Sequence, residues 1–155
     1  MHCNTRRAQL ARTDTILITG GAGFIGSNFV RHALAHSAGK IVIVDKLTYA
    51  GSLLNLEDGL EDPRVTFVKS DIADRSAMSK VFNEHRPTGV LNLAAETHVD
   101  RSIDSPQTFV DTNAVGTFVL LDVARAFAAE QPPAAPIDRA KLPARFTRPT
   151  KGWRG

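Results

Sequence analysis

Closely spaced glycines between residues 20 and 26 form the part of the sequence with the clearest chemistry. Gly20, Gly23 and Gly26 have the spacing G-x-x-G-x-x-G. Because residue 21 is also glycine, the segment matches G-x-G-x-x-G as well. Glycines at this spacing let the chain turn tightly and let its backbone approach a pyrophosphate. A helix that begins at the loop presents free N–H groups and its positive dipole end to that anion. The spacing therefore predicts a phosphate-binding loop.

An acidic residue follows the loop at the distance that a ribose contact requires. Asp45 lies 19 residues beyond Gly26 and ends an apolar run. A carboxylate at this place can accept hydrogen bonds from a ribose diol. Its charge repels a 2′-phosphate, so NAD is favoured over NADP, and the neighbouring Lys46 softens that preference. The alternative is that Asp45 is a turn residue at the end of a strand.

A second acid occupies the corresponding place after a later apolar run. Asp71 follows the run at 65–69 and would lie at the same edge of a sheet as Asp45. Its side chain can meet an adenine, with Ile72 packing nearby. A simple turn or helix-capping role for Asp71 is the alternative, since aspartate favours both positions.

Alternating strands and helices would position these residues. Short apolar runs predict strands at 15–19, 40–45, 65–69 and 88–94, and apolar periodicity predicts helices at 24–36, 74–85 and 105–127, with a short helix within 51–57. This alternation predicts an α/β fold with right-handed crossovers. The expected architecture is a truncated Rossmann-like parallel sheet of about four strands in the order 3-2-1-4 with flanking helices.

Individual residues mark the expected helix ends. Gly39 is expected to close the first helix, and Asp74 is placed to cap the 74–85 helix. Ser105 followed by Pro106 is expected to open the long helix. Apolar residues occur on more than one face of that helix, so we expect burial on two sides, with Gly116 allowing close backbone packing.

Charge is distributed unevenly along the chain. The 155 residues are 43% hydrophobic and 23% charged, with a net charge of +3 and a pI near 9.4. Residues 1–13 carry +3 and residues 128–155 carry +4, whereas residues 14–127 carry −4. The apolar periodicity lies almost entirely within residues 14–127, and the tail is rich in Pro, Ala and Arg. We therefore expect a disordered N-terminal extension and a disordered tail on either side of the partial NAD-binding Rossmann domain. A transit peptide and a functional basic tail are the alternatives for the two ends. Without a recognition motif, the pI does not predict a nucleic-acid partner.

Compartment signals are few. Cys3 is the single cysteine and cannot form an intramolecular disulfide, which fits a reducing compartment. No apolar run approaches the ~20 residues of a membrane span, and the N-terminus lacks the apolar stretch of a secretory signal. We expect a cytoplasmic protein without a membrane partner.

Three segments resemble a known family. Residues 19–27, 45–51 and 93–103 resemble the extended short-chain dehydrogenase/reductases, and within them the dTDP-glucose 4,6-dehydratase family. The glycine segment is shared with sugar-nucleotide epimerases, whereas Asp-Lys-Leu-Thr-Tyr-Ala-Gly and His-Val-Asp-Arg-Ser are more specific. Residues 112–117 add a further match. The resemblance covers about 14–127. The alternatives are a fragment of a UDP-sugar epimerase or decarboxylase and a non-enzymatic NAD-binding module.

The resemblance implies NAD as cofactor and a dTDP-sugar as substrate of the full-length family. The residues then expected at the cofactor are Gly20, Gly23, Phe24, Ile25, Gly26, Asp45, Lys46, Leu47, Thr48, Asp71, Ile72, Leu93, Ala94, Ala95, Thr97 and Thr112. Thr97 stands where the family usually has serine, near both nicotinamide and substrate. For His98, Asp100 and Arg101, a hydrogen-bonded loop scaffold is favoured over direct substrate contact.

The family's catalytic groups do not appear in these 155 residues. The family uses a Tyr-x-x-x-Lys pair, but the single tyrosine is Tyr49 and residue 53 is leucine. The Thr-Asp-Glu run and the nucleotide-binding C-terminal domain are also missing. We therefore assign no catalytic residue and no metal ligand, and we expect an inactive fragment of a truncated or frameshifted gene. The incomplete sheet predicts exposed apolar surface, with marginal solubility or a homodimer through helix 105–127.

Overall fold

A computed structural model describes residues 14–98, 103 and 105–131. The elements are β1 (Thr15–Thr19), α1 (Phe24–His36), β2 (Lys40–Asp45), a 3₁₀ turn (Leu53–Leu56) leading into α2 (Glu57–Leu60), β3 (Val65–Lys69), α3 (Arg75–His85), β4 (Gly89–Asn92), α4 (Pro106–Phe109), a π-helical segment (Val110–Gly116) and α5 (Thr117–Ala129). The N-terminal extension 1–13, residues 132–155 of the tail, Asp100 and Arg101 lie outside the described residues.

The four strands form one parallel sheet in the order β3-β2-β1-β4. Ile16 of β1 pairs with Ile41 on one side and with Gly89 on the other. The predicted order 3-2-1-4 is therefore confirmed. Leu17 and Ile18, adjacent along β1, are both fully buried, because helices cover both faces of the sheet. Burial on both faces explains why the central strands are continuous apolar runs rather than alternating ones.

The core has one layer on each face of the sheet. On one face, α1 and the 3₁₀ turn pack over Ile18, Ile41 and Ile43. On the other face, α3 and α5 pack over Leu17, Val42 and Val44. Alternate residues of β2 therefore serve opposite layers, as the period of a strand requires. Together the layers hold the carboxyl ends of β1, β2 and β4 at one edge.

The ends of the helices follow the sequence in part. Asp74 caps α3 as predicted, since its carboxylate accepts a hydrogen bond from the Ala77 N–H at 3.0 Å. Gly39 does not close α1, so that prediction is wrong. Instead the hydroxyl of Ser37 donates to the carbonyl of Ala33 at 2.7 Å, directly after the last helical residue. Ser105 lies at the start of α4 but makes no capping bond with its side chain.

The side chain of Arg64 ties the start of β3 to the end of α1. It donates to the carbonyl oxygens of Ser37 and Leu34 at 2.6 and 3.2 Å, and it pairs with Asp62 at 2.7 Å. The hydrogen bonds that the side chain and the backbone N–H of Arg64 donate to the Asp62 carboxylate lower its pKa from 3.8 to about 2. The contacts with Ser37 and Leu34 hold the carboxyl end of α1 against the start of β3.

The long helix differs from its prediction in three ways. It runs through α4, the π-helical segment and α5 to Ala129, two residues beyond the expected end. Its apolar residues are buried on one side only: on the other side, Phe118 and Leu121 are 63% and 65% exposed. The π-helical segment has no counterpart in the predicted periodicity. Close packing at Gly116 is confirmed, since a Cβ there would lie 2.7 Å from the Cγ1 of Ile72. Among residues 14–98, 103 and 105–131, no helix has the length and apolar character to cross a membrane.

Candidate dinucleotide-binding site

An open cleft lies above the carboxyl ends of the strands, where the chain leaves β1 in one direction and β4 in the other. About 550 Å³ of unfilled space lies within it. Its lining residues are Gly20, Gly23, Val44, Asp45, Lys46, Thr48, Ala50, Gly51, Ser70, Asp71, Ile72, Leu93, Ala94, Ala95, Glu96 and Thr112. In open α/β sheets, ligands bind at this switch point.

The glycine loop forms the floor of the cleft and can be built only without side chains at two positions. Gly20 has a φ of +67°, and a Cβ there would lie 2.5 Å from the backbone nitrogen of Ala94. A Cβ on Gly26 would collide with the carbonyl oxygen of Gly20 and lie 2.6 Å from the Cα of Gly21. Gly23 is the N-cap of α1 and offers no side chain to its first N–H groups. The loop therefore keeps backbone and helix terminus accessible to an anion.

The carboxylate of Asp45 is clamped between the glycine loop and the end of β2. Its Oδ2 accepts the Ala22 N–H at 2.9 Å, and its Oδ1 accepts the Leu47 N–H at 2.8 Å. The residue is only 9% exposed. Because an ionised carboxylate offers about four acceptor positions, both oxygens can still accept from a diol. Asp45 thus stabilises the turn after β2 through Leu47, as expected if it were a turn residue, and it also lines the cleft.

Lys46 and Asp71 form an ion pair at the end of the cleft that lies beside β2 and β3. The Lys46 Nζ lies 2.7 Å from Asp71 Oδ2, and Asp71 Oδ1 accepts the Ala73 N–H at 2.9 Å. Partial burial raises the pKa of Asp71, but the hydrogen bonds from Lys46 and Ala73 outweigh burial and leave the pKa lowered. The Lys46 ammonium is therefore engaged, and it would have to leave Asp71 before it could neutralise a 2′-phosphate.

The opposite wall is the segment that follows β4. The Leu93 N–H continues the sheet by donating to the Thr19 carbonyl at 3.0 Å. Glu96 is then held by two bonds to Asn113 of the π-helical segment: its N–H donates to Oδ1 and its carbonyl accepts from Nδ2, both at 2.9 Å. This pair fixes the wall against the long helix and places Thr112 at the cleft.

The structure brings most of the expected cofactor residues together. Those that line the cleft are Gly20, Gly23, Asp45, Lys46, Thr48, Asp71, Ile72, Leu93, Ala94, Ala95 and Thr112. Five expected residues are not in its lining. Phe24 and Ile25 are 82% and 68% exposed at the start of α1. Gly26 packs beneath the loop, Leu47 packs against the core, and Thr97 is exposed just beyond the lining segment.

Sequence reasoning did not select every residue of the site. The cleft also contains Val44, Ala50, Gly51, Ser70 and Glu96. Val44, Ser70 and Glu96 lie beside selected residues at the carboxyl ends of strands, and Ala50 and Gly51 lie in the loop that follows β2. Their position could have identified them, because residues that follow parallel strands meet at one edge of the sheet. The bond from Ala22 to Asp45 has no such signal, because it depends on how the glycine loop folds back.

The fold and the cleft together define a class of protein. Dinucleotide-binding Rossmann domains carry a glycine loop between the first strand and helix, and an acid at the end of the second strand. This chain places both features on one cleft at the switch point of its sheet. The family model described as GDP-mannose 4,6 dehydratase matches residues 17–136. The chain belongs to this family.

Individual relatives narrow the likeness to one activity. The chain is 54% identical over 110 residues to a dTDP-glucose 4,6-dehydratase from Shigella flexneri. The matched region covers 71% of this chain and 30% of that protein. It is 52% identical over 117 residues to a dTDP-glucose 4,6-dehydratase from Neisseria meningitidis serogroup B, and this match covers 76% of this chain and 33% of that protein. The resemblance inferred from the sequence is thereby confirmed. The chain spans about a third of the length of these relatives.

Solved structures agree with this placement. A dTDP-glucose 4,6-dehydratase from Streptomyces venezuelae, determined with NAD bound, has a TM-score of 0.69 at 42% identity, over 73% of this chain and 36% of that one. A UDP-glucose 4-epimerase from Thermotoga maritima, determined with UDP-glucose, has a TM-score of 0.64 at 35% identity. That match covers 73% of this chain and 34% of the epimerase. The fold is therefore shared by dehydratases and epimerases.

Proposed function

We propose that residues 14–127 are the NAD-binding part of a dTDP-glucose 4,6-dehydratase. The observation that carries the proposal is the placement of the glycine loop and the clamped Asp45 on one cleft. The NAD-bound dehydratase from Streptomyces venezuelae, at 42% identity, supports the choice of cofactor. Its identity exceeds the 35% of the Thermotoga epimerase, which favours the dehydratase over the epimerase as the parent activity.

The residues of the cleft fit NAD in their chemistry. Backbone atoms occupy the places that a Cβ would take at Gly20 and Gly26. The two glycines therefore permit the tight shape of the loop, from which its backbone can approach a pyrophosphate. Asp45 has acceptor capacity left for ribose hydroxyls, and its charge disfavours a 2′-phosphate. Leu93, Ala94 and Ala95 would lie behind the nicotinamide half, with the Thr97 hydroxyl near both nicotinamide and sugar. When bound, NAD supplies the hydride acceptor for oxidation of a sugar.

We further propose that the 155-residue chain does not dehydrate dTDP-glucose by itself. General acid–base chemistry needs a proton-transfer group within hydrogen-bond reach of the substrate. The single tyrosine, Tyr49, has leucine rather than lysine four residues later, and its hydroxyl donates to Glu96 at 3.3 Å. By itself, the chain would then act as a non-enzymatic NAD-binding module. We expect it in the cytoplasm.

Calorimetric titration with NAD, followed by an assay with dTDP-glucose, tests both parts of the proposal. We expect saturable NAD binding, weaker binding of NADP because of Asp45, and no 4-keto sugar when dTDP-glucose and NAD are supplied together. NADP serves as the matched control ligand, since it differs from NAD by one phosphate. Absence of NAD binding would refute the cofactor assignment, and formation of the keto sugar would refute the inactivity.

Dimerisation through helix 105–127 stays a prediction, and the exposed side of that helix is where it would occur. Phe118 and Leu121 of α5 expose more than half of their surfaces. Exposed apolar patches of this kind favour association. We expect sedimentation to show self-association that Phe118→Glu weakens, whereas Leu54→Glu, at a leucine 72% exposed on the 3₁₀ turn, leaves it unchanged. A monomeric parent chain, or equal effects of the two substitutions, would contradict the prediction.

A further inference from the structure

Two loops form the rim of the cleft on either side of β1. The β2 loop, residues 46–52, follows β2, and the β4 loop, residues 93–98, follows β4. In the sheet, β1 lies between these strands, so the two loops start about 10 Å apart at a spacing of about 4.8 Å per strand. A dinucleotide that extends from Asp45 to the wall after β4 must cross this gap. A side chain that joins the two loops without lining the cleft can therefore hold the ligand between them.

Tyr49 spans the gap in this structure. Its hydroxyl donates a hydrogen bond to Oε2 of Glu96 at 3.3 Å, and the centroid of its ring lies 5.1 Å from that of His98 at an angle of 57°. Its neighbours Thr48 and Ala50 line the cleft, as does Glu96. One side chain therefore connects the lining of one loop to the lining of the other.

Each end of this connection is anchored in a different way. Tyr49 occupies the tip of a tight turn, in which the Gly51 N–H donates to the Thr48 carbonyl at 3.1 Å. Glu96 is fixed by its two backbone bonds to Asn113. Tyr49 is 46% exposed, so close to half of its surface faces solvent. The backbone of Glu96 is thus held to the π-helical segment, and its carboxylate accepts from a ring carried on the tight turn of the β2 loop.

We propose that Tyr49, Glu96 and His98 form a bridge that encloses the dinucleotide and slows its release. The inference rests on the proposed function. It adds three residues that are not among the expected cofactor contacts. Tyr49 is a positioning residue here: its phenol is used to join the loops and performs no proton transfer. Breaking the hydrogen bond lets the turn move away from Glu96, so the ligand leaves faster while its contacts to the glycine loop and Asp45 persist.

The rate of NADH release measures the bridge directly. In the full 155-residue chain, NADH fluorescence after rapid mixing with excess NAD gives the dissociation rate for the parent, Tyr49→Phe, Glu96→Ala and the double variant. We expect each single substitution to raise the rate about two- to tenfold, the range for loss of one hydrogen bond. The double variant should be no faster than either single one, because both remove the same contact.

Two further variants separate the bridge from general destabilisation. Glu96→Gln retains a carbonyl oxygen that can accept from Tyr49, so its rate should stay within about twofold of the parent. Thr66→Val removes a hydroxyl from an exposed position on β3, away from the cleft, and should leave the rate unchanged. Melting temperatures of all variants, measured without ligand, establish that each one is folded before its rate is compared.

The outcomes distinguish the bridge from the cofactor assignment. If the parent binds NADH but the single variants release it at the parent rate, the bridge is refuted and the cofactor assignment stands. Multiplicative increases in the double variant also refute the bridge, because independent contacts would then be responsible. If the parent binds no NADH, the cofactor assignment fails, and the enclosure fails with it.

Discussion

Gly26→Ala is expected to weaken NAD binding by about 30- to 150-fold. The added Cβ meets backbone on two sides, the carbonyl oxygen of Gly20 and the Cα of Gly21. Neither can give way without reshaping the loop, unlike the end of a flexible side chain. Overpacking typically costs about 1–3 kcal/mol, and contact with backbone on two sides places this substitution in the upper half of that range. A loop reshaped by the Cβ must regain its present shape to bind NAD, so a cost of about 2–3 kcal/mol gives the expected loss of affinity. Calorimetric titration with NAD measures it, and circular dichroism establishes whether the sheet persists.

Two other glycines provide graded controls for this substitution. Gly89→Ala should leave NAD affinity unchanged, because a Cβ at that position of β4 has no atom within 4 Å. Gly23→Ala should have an intermediate effect, since its Cβ would lie 3.3 Å from the Gly20 carbonyl and touch nothing else within 4 Å. Parent-like NAD affinity in the Gly26 variant would contradict the assignment of the glycine loop as the phosphate site.

Asp45→Asn should lower NAD affinity by about 10- to 100-fold and narrow the preference for NAD over NADP. Only one oxygen remains to accept from Ala22, Leu47 and a ribose, and the amide N–H₂ opposes one of the two backbone donors. An unsatisfied buried donor costs about 1–3 kcal/mol, so the melting temperature should fall as well. NADP affinity should fall less, because the negative charge that repels its 2′-phosphate is removed.

The control for Asp45→Asn removes an acid elsewhere. Asp58 is exposed in the first turn of α2, and its replacement by asparagine should leave both affinities unchanged. Calorimetry with NAD and NADP on the two variants gives the ratio directly. If Asp45→Asn preserved the parent ratio of NAD to NADP affinity, Asp45 would be a strand-end turn residue without a role at the ribose.

The sheet could be predicted from sequence because its cause is local. Each strand is a short apolar run bounded by turn residues, and burial on both faces gives that run no polar interruptions. Asp74 was predicted as a cap for the same reason, since one carboxylate and one nearby N–H suffice. The end of α1 at His36 was predicted correctly, but the residue that closes the helix was not. The Ser37 hydroxyl reaches the Ala33 carbonyl before the chain arrives at Gly39.

The remaining differences are tertiary in origin. The π-helical segment from Val110 to Gly116 leaves no periodic signal in seven residues, although such segments often lie at functional sites, and this one holds Glu96 through Asn113. The long helix carries apolar residues on two sides, but the described residues supply a packing layer for only one of them. Contacts such as Tyr49 to Glu96 join residues 47 positions apart, and no spacing rule predicts them.

The glycine loop and Asp45 were predictable because their requirements are those of backbone and charge. The engagement of Lys46 with Asp71 was not, since adjacency to Asp45 placed Lys46 near the ribose without showing which acid it pairs with. The proposed preference for NAD over NADP therefore rests on Asp45, because the Lys46 ammonium is paired with Asp71.

Titration of the ¹⁵N-labelled 155-residue chain with NAD, followed by backbone amide NMR, tests NAD binding in this cleft most directly. The expected shifts fall on the amides of Gly20–Gly26, Asp45–Thr48, Asp71–Ile72, Leu93–Thr97 and Thr112. Amides on the exposed side of α5, around Phe118 and Leu121, should not move. Shifts confined to that side of α5, or no shifts at saturating NAD, would contradict the assignment of this chain as an NAD-binding domain.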